Sequence, residues 1–359
     1  MINKINYTTS DLFKDACLMD GLASKTCAVK TSRNFDFLSS ISHGLMSNII
    51  ATSGKPFIAT PRPKAKWTAV DYAVLALKVV FFPITAIYYL TCYICSLIAF
   101  RFGVGKNENI NEFKRAELRK LGGQEIAFTT EDNVQLEGMF FASSHGINAQ
   151  TILICSGSHL SYEEYTVPMV DAMLKQGHNV MVFNYRGFGK SAGTPSEKGF
   201  NLDTEAAYQY LQSVKGKSDN QITVFGYSMG AAPATDLAAN HSIKLVLDRY
   251  FSSMKDVARD NGGLIAKWIF NLGGASFDVK EKIKKVQGKI FLLKGSRDTT
   301  MKPYHEEYLK SSLKNNSNAS FVNIDSTHLH NSNSEFWFHP ENTANVQQRN
   351  QFQQFLSGL

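Results

Sequence analysis

From residue 124 onward, short apolar runs alternate with longer stretches of helical periodicity. Residues 124–130 and 134–142 mix polar and apolar positions on either side of Glu131-Asp132-Asn133. That pattern predicts an antiparallel hairpin with one wetted face. Six further short runs, near 151–155, 179–184, 221–226, 243–248, 289–294 and 319–324, read as parallel strands with helices between them. Strands of that kind are buried on both faces, and the helical stretches between them supply the cover. The order predicts an α/β fold: an eight-stranded, mostly parallel twisted sheet with helices on both faces. A ligand site in such a sheet lies at the carboxyl ends of the strands. The interval between Asp248 and Lys289 leaves room for a modest helical cap, with Gly263 to Gly274 amphipathic, but not for a large lid domain.

The pattern before residue 120 is different. Residues 1–66 are mixed and polar, punctuated by Pro56, Pro61 and Pro63, and form an N-terminal region without a readable role. Residues 67–110 make an apolar helical segment, and 120–359 the α/β domain. From Val79 to Phe100 no residue is charged. A helix of about 20 residues rises roughly 30 Å, enough to cross a hydrocarbon core. Pro83 stands near the start of the run, where a kink is tolerated. Tyr88, Tyr89 and Tyr93 suit a helix lying at a membrane surface or packed on the α/β domain as well as a spanning one. Lys64, Lys66 and Lys78 precede it, Arg101 and Lys106 follow, and the orientation stays open. The first residues lack the basic region and apolar core of a secretory signal.

The chemistry concentrates in Gln221-Ile-Thr-Val-Phe-Gly-Tyr-Ser-Met-Gly-Ala-Ala-Pro. A buried strand, Ile222 to Phe225, runs into Gly226-Tyr227-Ser228-Met229-Gly230, and the small residues Ala231 to Ala239 suit a helix. This is G-x-S-x-G in the strand-turn-helix context of a nucleophile elbow. The glycines leave room where neighbouring chains approach, and the helix N-terminus favours negative charge developing at the serine. In the alternative reading the glycines serve only a tight turn.

A serine hydroxyl needs a base, and the base an orienting acid. The chain order expected for such an elbow is Ser, then Asp or Glu, then His. Asp298 follows the strand near 289–294 through a Gly295-Ser296 turn and is the favoured acid; Asp248, ending the preceding strand, is the rival. The loop Asp325-Ser-Thr-His-Leu-His after the last strand carries the base. His328 is nearer the strand end and is favoured over His330. Two backbone N–H groups must hold the oxyanion. Met229, after the nucleophile, supplies one, and Ser158, beyond Gly157 in the loop after the strand near 151–155, the other. His159 shapes the same loop.

With these residues in place the chain resembles the α/β-hydrolase superfamily. Within it the chain is similar to the membrane-anchored serine hydrolases of the bud-emergence type, relatives of the protein depalmitoylases. Five segments carry the resemblance across roughly 124–357: Asn184-Tyr-Arg-Gly-Phe-Gly-Lys-Ser, Leu202-Asp-Thr-Glu-Ala, Gly226-Tyr-Ser-Met-Gly, Gly295-Ser-Arg-Asp and Asp325-Ser-Thr-His. It implies Ser228, Asp298 and His328 as the triad, in agreement with the reading from the residues. Asp248-Arg-Tyr-Phe-Ser-Ser and the run containing Phe82-Pro-Ile-Thr look like the CHLPS-type hydrolases of intracellular bacteria, which include lipase effectors. The family's His-Gly-Asn oxyanion loop is Ser156-Gly157-Ser158 here; the backbone donor survives and the side-chain support of the loop changes. The glycines of Tyr185-Arg186-Gly187-Phe188-Gly189 lack the Walker lysine spacing and read as a structural turn.

Composition narrows the partners. The chain has 359 residues, 43% of them hydrophobic and 19% charged, which is globular rather than disordered. A formal charge of +7 suits an anionic membrane; no nucleic-acid motif accompanies it. Five cysteines, Cys17, Cys27, Cys92, Cys95 and Cys155, form no disulfide framework and fit a reducing compartment. Cys92 and Cys95 read first as buried packing and second as lipid attachment sites. The expectation is a membrane-associated serine hydrolase of acyl esters or thioesters, on lipid or acylated protein, without metal or cofactor. Export into a host cell stays open. The alternatives are a non-catalytic interaction module, an acyltransferase using the same acyl-enzyme, and, less favoured, a peptidase.

Overall fold

A computed structural model describes residues 108–357 apart from 147, 158–160, 273–275, 297, 299 and 325–344. The N-terminal region and the 79–100 run lie outside the described residues, as do Ser158, His159, His328 and His330. Among the described residues no helix is long and apolar enough to cross a membrane.

Helix α1 (Glu108–Lys120) leads into the hairpin β1 (Gln124–Thr129) and β2 (Gln135–Phe141). Then come β3 (Thr151–Cys155), α2 (Tyr162–Tyr165), α3 (Val167–Lys175), β4 (Asn179–Phe183) and α4 (Glu197–Ser213). The second half holds β5 (Ile222–Tyr227), α5 (Ala231–Asn240), β6 (Lys244–Asp248), α6 (Met254–Leu272), α7 (Val279–Lys282), β7 (Ile290–Gly295), α8 (Pro303–Ser312), β8 (Ala319–Ile324) and α9 (Val346–Ser357). The strands form one eight-stranded sheet in the order β1-β2-β4-β3-β5-β6-β7-β8. Only the β1–β2 and β2–β4 pairs are antiparallel. The hairpin and the parallel strands thus take the places their patterns predict.

Period-two alternation divides the core into two layers. Leu153, Ile222, Val224, Leu245, Leu247, Ile290 and Leu292 face one side, against Ala207 and Leu211 of α4, Leu237 of α5 and Leu309 of α8. Ile152, Ile154, Phe225, Val246, Phe291 and Leu293 face the other, against Leu118 of α1, Met169 and Met173 of α3 and Phe352 of α9. Burying each such side chain contributes about 1.5–3 kcal/mol, so the central strands anchor both layers of the core. They hold the loops at their carboxyl ends.

The excursion after β6 is helical and takes the form of a hairpin. It starts at Met254 and bends at Gly263, where φ is +70°. The Met254 N–H donates to Ser276 O (2.9 Å), so the segment leaves and returns at one place on the carboxyl edge.

Candidate active site

Ser228 stands where β5 ends, one residue past Tyr227, and begins a short 3₁₀ turn, Ser228–Gly230, that runs straight into α5. Its φ is +51°. A residue with a Cβ pays for a left-handed backbone, and such strain persists only where the surroundings enforce it. The two flanking glycines show the enforcement. A Cβ on Gly226 would stand 2.7 Å from Ala231 Cα, and one on Gly230 would stand 2.1 Å from Cys155 O. The elbow is therefore clamped between α5 and the end of β3. Ser228 remains partly exposed while its neighbours Tyr227 and Met229 are buried.

The end of β3 comes against the elbow from the other side. A Cβ on Gly157 would meet the Tyr227 ring at 3.1 Å and Ser228 Cβ at 3.5 Å. The loop expected to carry the second oxyanion donor thus departs from beside the serine. Cys155, at the end of β3, is fully buried, and burial pushes its thiol up to about 12. That cysteine is protonated packing, not a nucleophile.

Both acid candidates lie at strand ends. Asp248 is fully buried, pairs in register with Tyr227 and ends β6. The next residue, Arg249, is also left-handed (φ +54°), and its guanidinium lies 5.0 Å from the Tyr227 ring centroid. Asp298 is largely buried in the turn after β7. Its Oδ1 accepts the Thr300 and Met301 N–H groups at 2.9 and 3.1 Å, and its own N–H donates to Gly295 O. The same turn is joined to β8 by Ser296 N–H to Ile324 O, 3.0 Å. Ile324, the last described residue before His328, is thus fastened to the turn that carries Asp298.

Two ion clusters built on buried arginines hold the loops on the other half of this edge, and only part of them was readable in sequence. Arg186 donates to Asp203 (Nε to Oδ1, 2.8 Å) and to both carboxylate oxygens of Asp132 (2.7 and 2.9 Å), and its backbone N–H reaches Asp203 Oδ2. Bonding to Arg186 holds the Asp132 carboxyl well below its usual range. Burial raises Asp203 to about 6 against the pull of Arg186. This explains the Asn184-Tyr-Arg-Gly-Phe-Gly stretch and the Leu202-Asp-Thr stretch together: the glycine-rich turn is structural, as the resemblance implies. The second cluster joins Arg115 of α1 to Glu137 of β2 and Glu163 of α2, with Asn184 Nδ2 donating to both carboxylates at 3.0 Å. Its members are 22 to 48 positions apart in sequence. No local signal points to it.

Among the described residues no group of His, Cys, Asp and Glu is placed to hold a metal ion. An open hollow of about 540 Å³ beside β8 and α9 is lined by residues such as Phe321, Gln351 and Phe355. None of the candidate catalytic residues lines it.

Comparison with known proteins agrees with this geometry. A family model described as "alpha/beta hydrolase fold" matches residues 145–254, which include the elbow. The chain is 27% identical over 217 residues to Protein bem46 of Schizosaccharomyces pombe, covering 56% of this chain and 68% of that protein. It is 25% identical over 151 residues to an uncharacterized membrane protein, YNL320W, of Saccharomyces cerevisiae, covering 41% of this chain and 52% of the relative. Among solved structures, the Pyrococcus furiosus esterase Pf2001 superposes with a TM-score of 0.52 at 26% identity, over 67% of this chain and 94% of the esterase. The fold and its esterase neighbours support hydrolase activity in general. The chain belongs to the α/β-hydrolase superfamily and is related to Bem46.

Proposed function

We propose that this chain is a serine hydrolase that cleaves acyl esters or thioesters at a membrane. The observation that carries the reading is Ser228 itself: a partly exposed serine in a left-handed backbone, clamped by glycines between β3 and α5. Such strain has no packing purpose that glycine would not serve better.

In the proposed mechanism Ser228 Oγ attacks the acyl carbonyl while His328 takes its proton. Asp298 fixes the imidazole; its carboxylate is already positioned by two backbone amides. The Met229 and Ser158 N–H groups hold the tetrahedral oxyanion, each aimed where charge develops. His328 returns the proton to the leaving alkoxide or thiolate, and water then deacylates Ser228 with His328 again as base. The substrate class follows from the uncharged 79–100 run and the charge of +7, which favour lipid esters or acylated proteins over soluble ones. A membrane protein among the relatives is in keeping with this.

Covalent labelling by a fluorophosphonate probe tests the reading. The wild type should label and Ser228→Ala should not. If neither labels while both give native far-UV and near-UV spectra, the chain is an interaction module on a hydrolase fold.

A further inference from the structure

Helix α1 fixes which edge of the sheet the preceding chain reaches. Its N-terminal half lies on the carboxyl edge of the sheet: the Ser161 hydroxyl donates to Asn111 Oδ1 (3.2 Å), and Glu112 comes within 4 Å of Lys190 in the loop after β4. Its C-terminal end lies at the opposite edge, where Leu118 O accepts the Gly123 N–H next to Phe141, the last residue of β2. A helix of 13 residues is about 20 Å long. It therefore runs the height of the sheet as a strut. The buried Arg115, held by Glu137 and Glu163, prevents it from swinging, since parting such a cluster leaves an uncompensated charge inside.

The chain that precedes α1 must arrive at the catalytic rim. Only residues 101–107 separate α1 from the uncharged run ending at Phe100. Even fully extended they reach at most about 29 Å. The same rim carries two large apolar side chains in water. Phe113 of α1 is 62% exposed, and Leu264, beside the bend at Gly263, is 76% exposed. Lys190, with 63% of its side chain exposed, stands there as well, 3.9 Å from the Glu112 carboxylate. Exposure alone does not choose a face, because Val214 at the opposite edge is 61% exposed. The strut and the short connection choose it.

We propose that the carboxyl edge of the sheet, marked by Phe113, Leu264 and Lys190, docks on an anionic lipid bilayer, so that Ser228 opens toward lipid and the substrate is an acyl group held at the bilayer surface. The substrate clause rests on the serine-hydrolase reading; the docking surface does not. Positive charge suits an anionic surface, and each lysine close to one contributes enough for a roughly 5-fold change in affinity.

An environment-sensitive fluorophore reports the face directly. It is attached at Phe113→Cys, Leu264→Cys or Val214→Cys in the full chain, with Cys17, Cys27, Cys92 and Cys95 changed to Ala. Vesicles of phosphatidylcholine and phosphatidylserine should shift the probes at 113 and 264 to the blue and expose them to quenching by brominated lipid. The probe at 214 should stay as in water. Lys190→Ala should weaken vesicle binding roughly 5-fold. A response at 214 with none at 113 and 264 overturns the proposal, as does a chain that leaves all three probes silent or does not bind vesicles. Because the readout needs no turnover, the expected shifts in a protein that no fluorophosphonate labels would leave the docking face standing and remove only the hydrolase reading.

Discussion

Two serines of the molecule invite comparison: Ser228 of the proposed site, with Asp298 two strands on, and Ser252, which is packed with His305 and Asp260. In the first, Ser228 is strained, partly exposed and set at the mouth of the sheet, with Asp298 at the next loop but one. In the second, Ser252 Oγ lies 2.8 Å from His305 Nδ1, and His305 Nε2 faces Asp260 Oδ2 at 3.3 Å. The distances of the second set alone would pass for a triad. Yet Ser252 is fully buried and its hydroxyl also donates to Asp256 Oδ2 at 2.8 Å. The Ser252 N–H donates to Nδ1, so Nδ1 is the accepting nitrogen and the proton sits on Nε2. In a working triad the serine faces Nε2 and the aspartate Nδ1. Burial also pushes the His305 imidazole below its ordinary range. Hydrogen-bond geometry therefore does not identify a nucleophile; access and backbone strain do.

The largest effect that could break this contrast is on turnover. Ser228→Ala should remove about 10⁴-fold or more of ester hydrolysis, whereas Ser252→Ala should leave kcat within a few-fold of wild type. Equal losses in the two variants would mean that strain at the elbow does not mark the nucleophile. The acids sharpen the same point. Asp298→Asn should cost about 10³–10⁴-fold in kcat with folding intact, read from initial rates on a soluble ester. A near-normal Asp298→Asn beside an inactive but folded Asp248→Asn would move the acid to β6.

A smaller effect separates the sites by stability. Arg115→Ala strands Glu137 and Glu163 inside, and should cost about 3–5 kcal/mol in urea unfolding. Ser252→Ala, which removes one buried hydroxyl, should cost about 1–3 kcal/mol. A fully stable Arg115→Ala would remove the ground for calling α1 a rigid strut.

These regions differ in how far the sequence reveals them. The elbow was legible because its requirement is local: glycines two before and two after the serine, a strand behind and small residues ahead. The central strands were legible because burial on both faces leaves a nearly continuous apolar run, and the observed ends of all eight fall within a residue of the runs. Asp298 could be placed because its turn follows a strand directly. Arg115, Glu137 and Glu163 were not legible, since three charged residues scattered over 48 positions look like surface until the fold closes on them. The cap was legible only as a length with an amphipathic stretch. Its bend depends on Gly263 turning left-handed and on Met254 meeting Ser276, a contact between residues 22 apart that no periodicity encodes.

The smallest effect probes what the buried set does in place of catalysis. Burial opposes ionisation of Asp256, but the Ser253 and Ser252 hydroxyls and Lys280 win and hold its carboxyl at about 2. Lys267 and Arg259 face it as well, and His305 and Asp260 stand behind Ser252. A folded-state pKa below the unfolded value near 3.8 means that the carboxylate stabilises the fold above about pH 4. That contribution is lost as pH falls through about 2. The gap of nearly two units corresponds to about 2 kcal/mol at pH 6, of which roughly half should remain at pH 3. Urea unfolding of wild type and Asp256→Asn should therefore differ most near neutrality and converge as the solution is acidified. Parallel stability curves across that range would show that Asp256 is not the charged anchor of the cap. Convergence would establish Asp256, which ties Ser252 and Ser253 to Lys280, as a charged fastening for the helical hairpin.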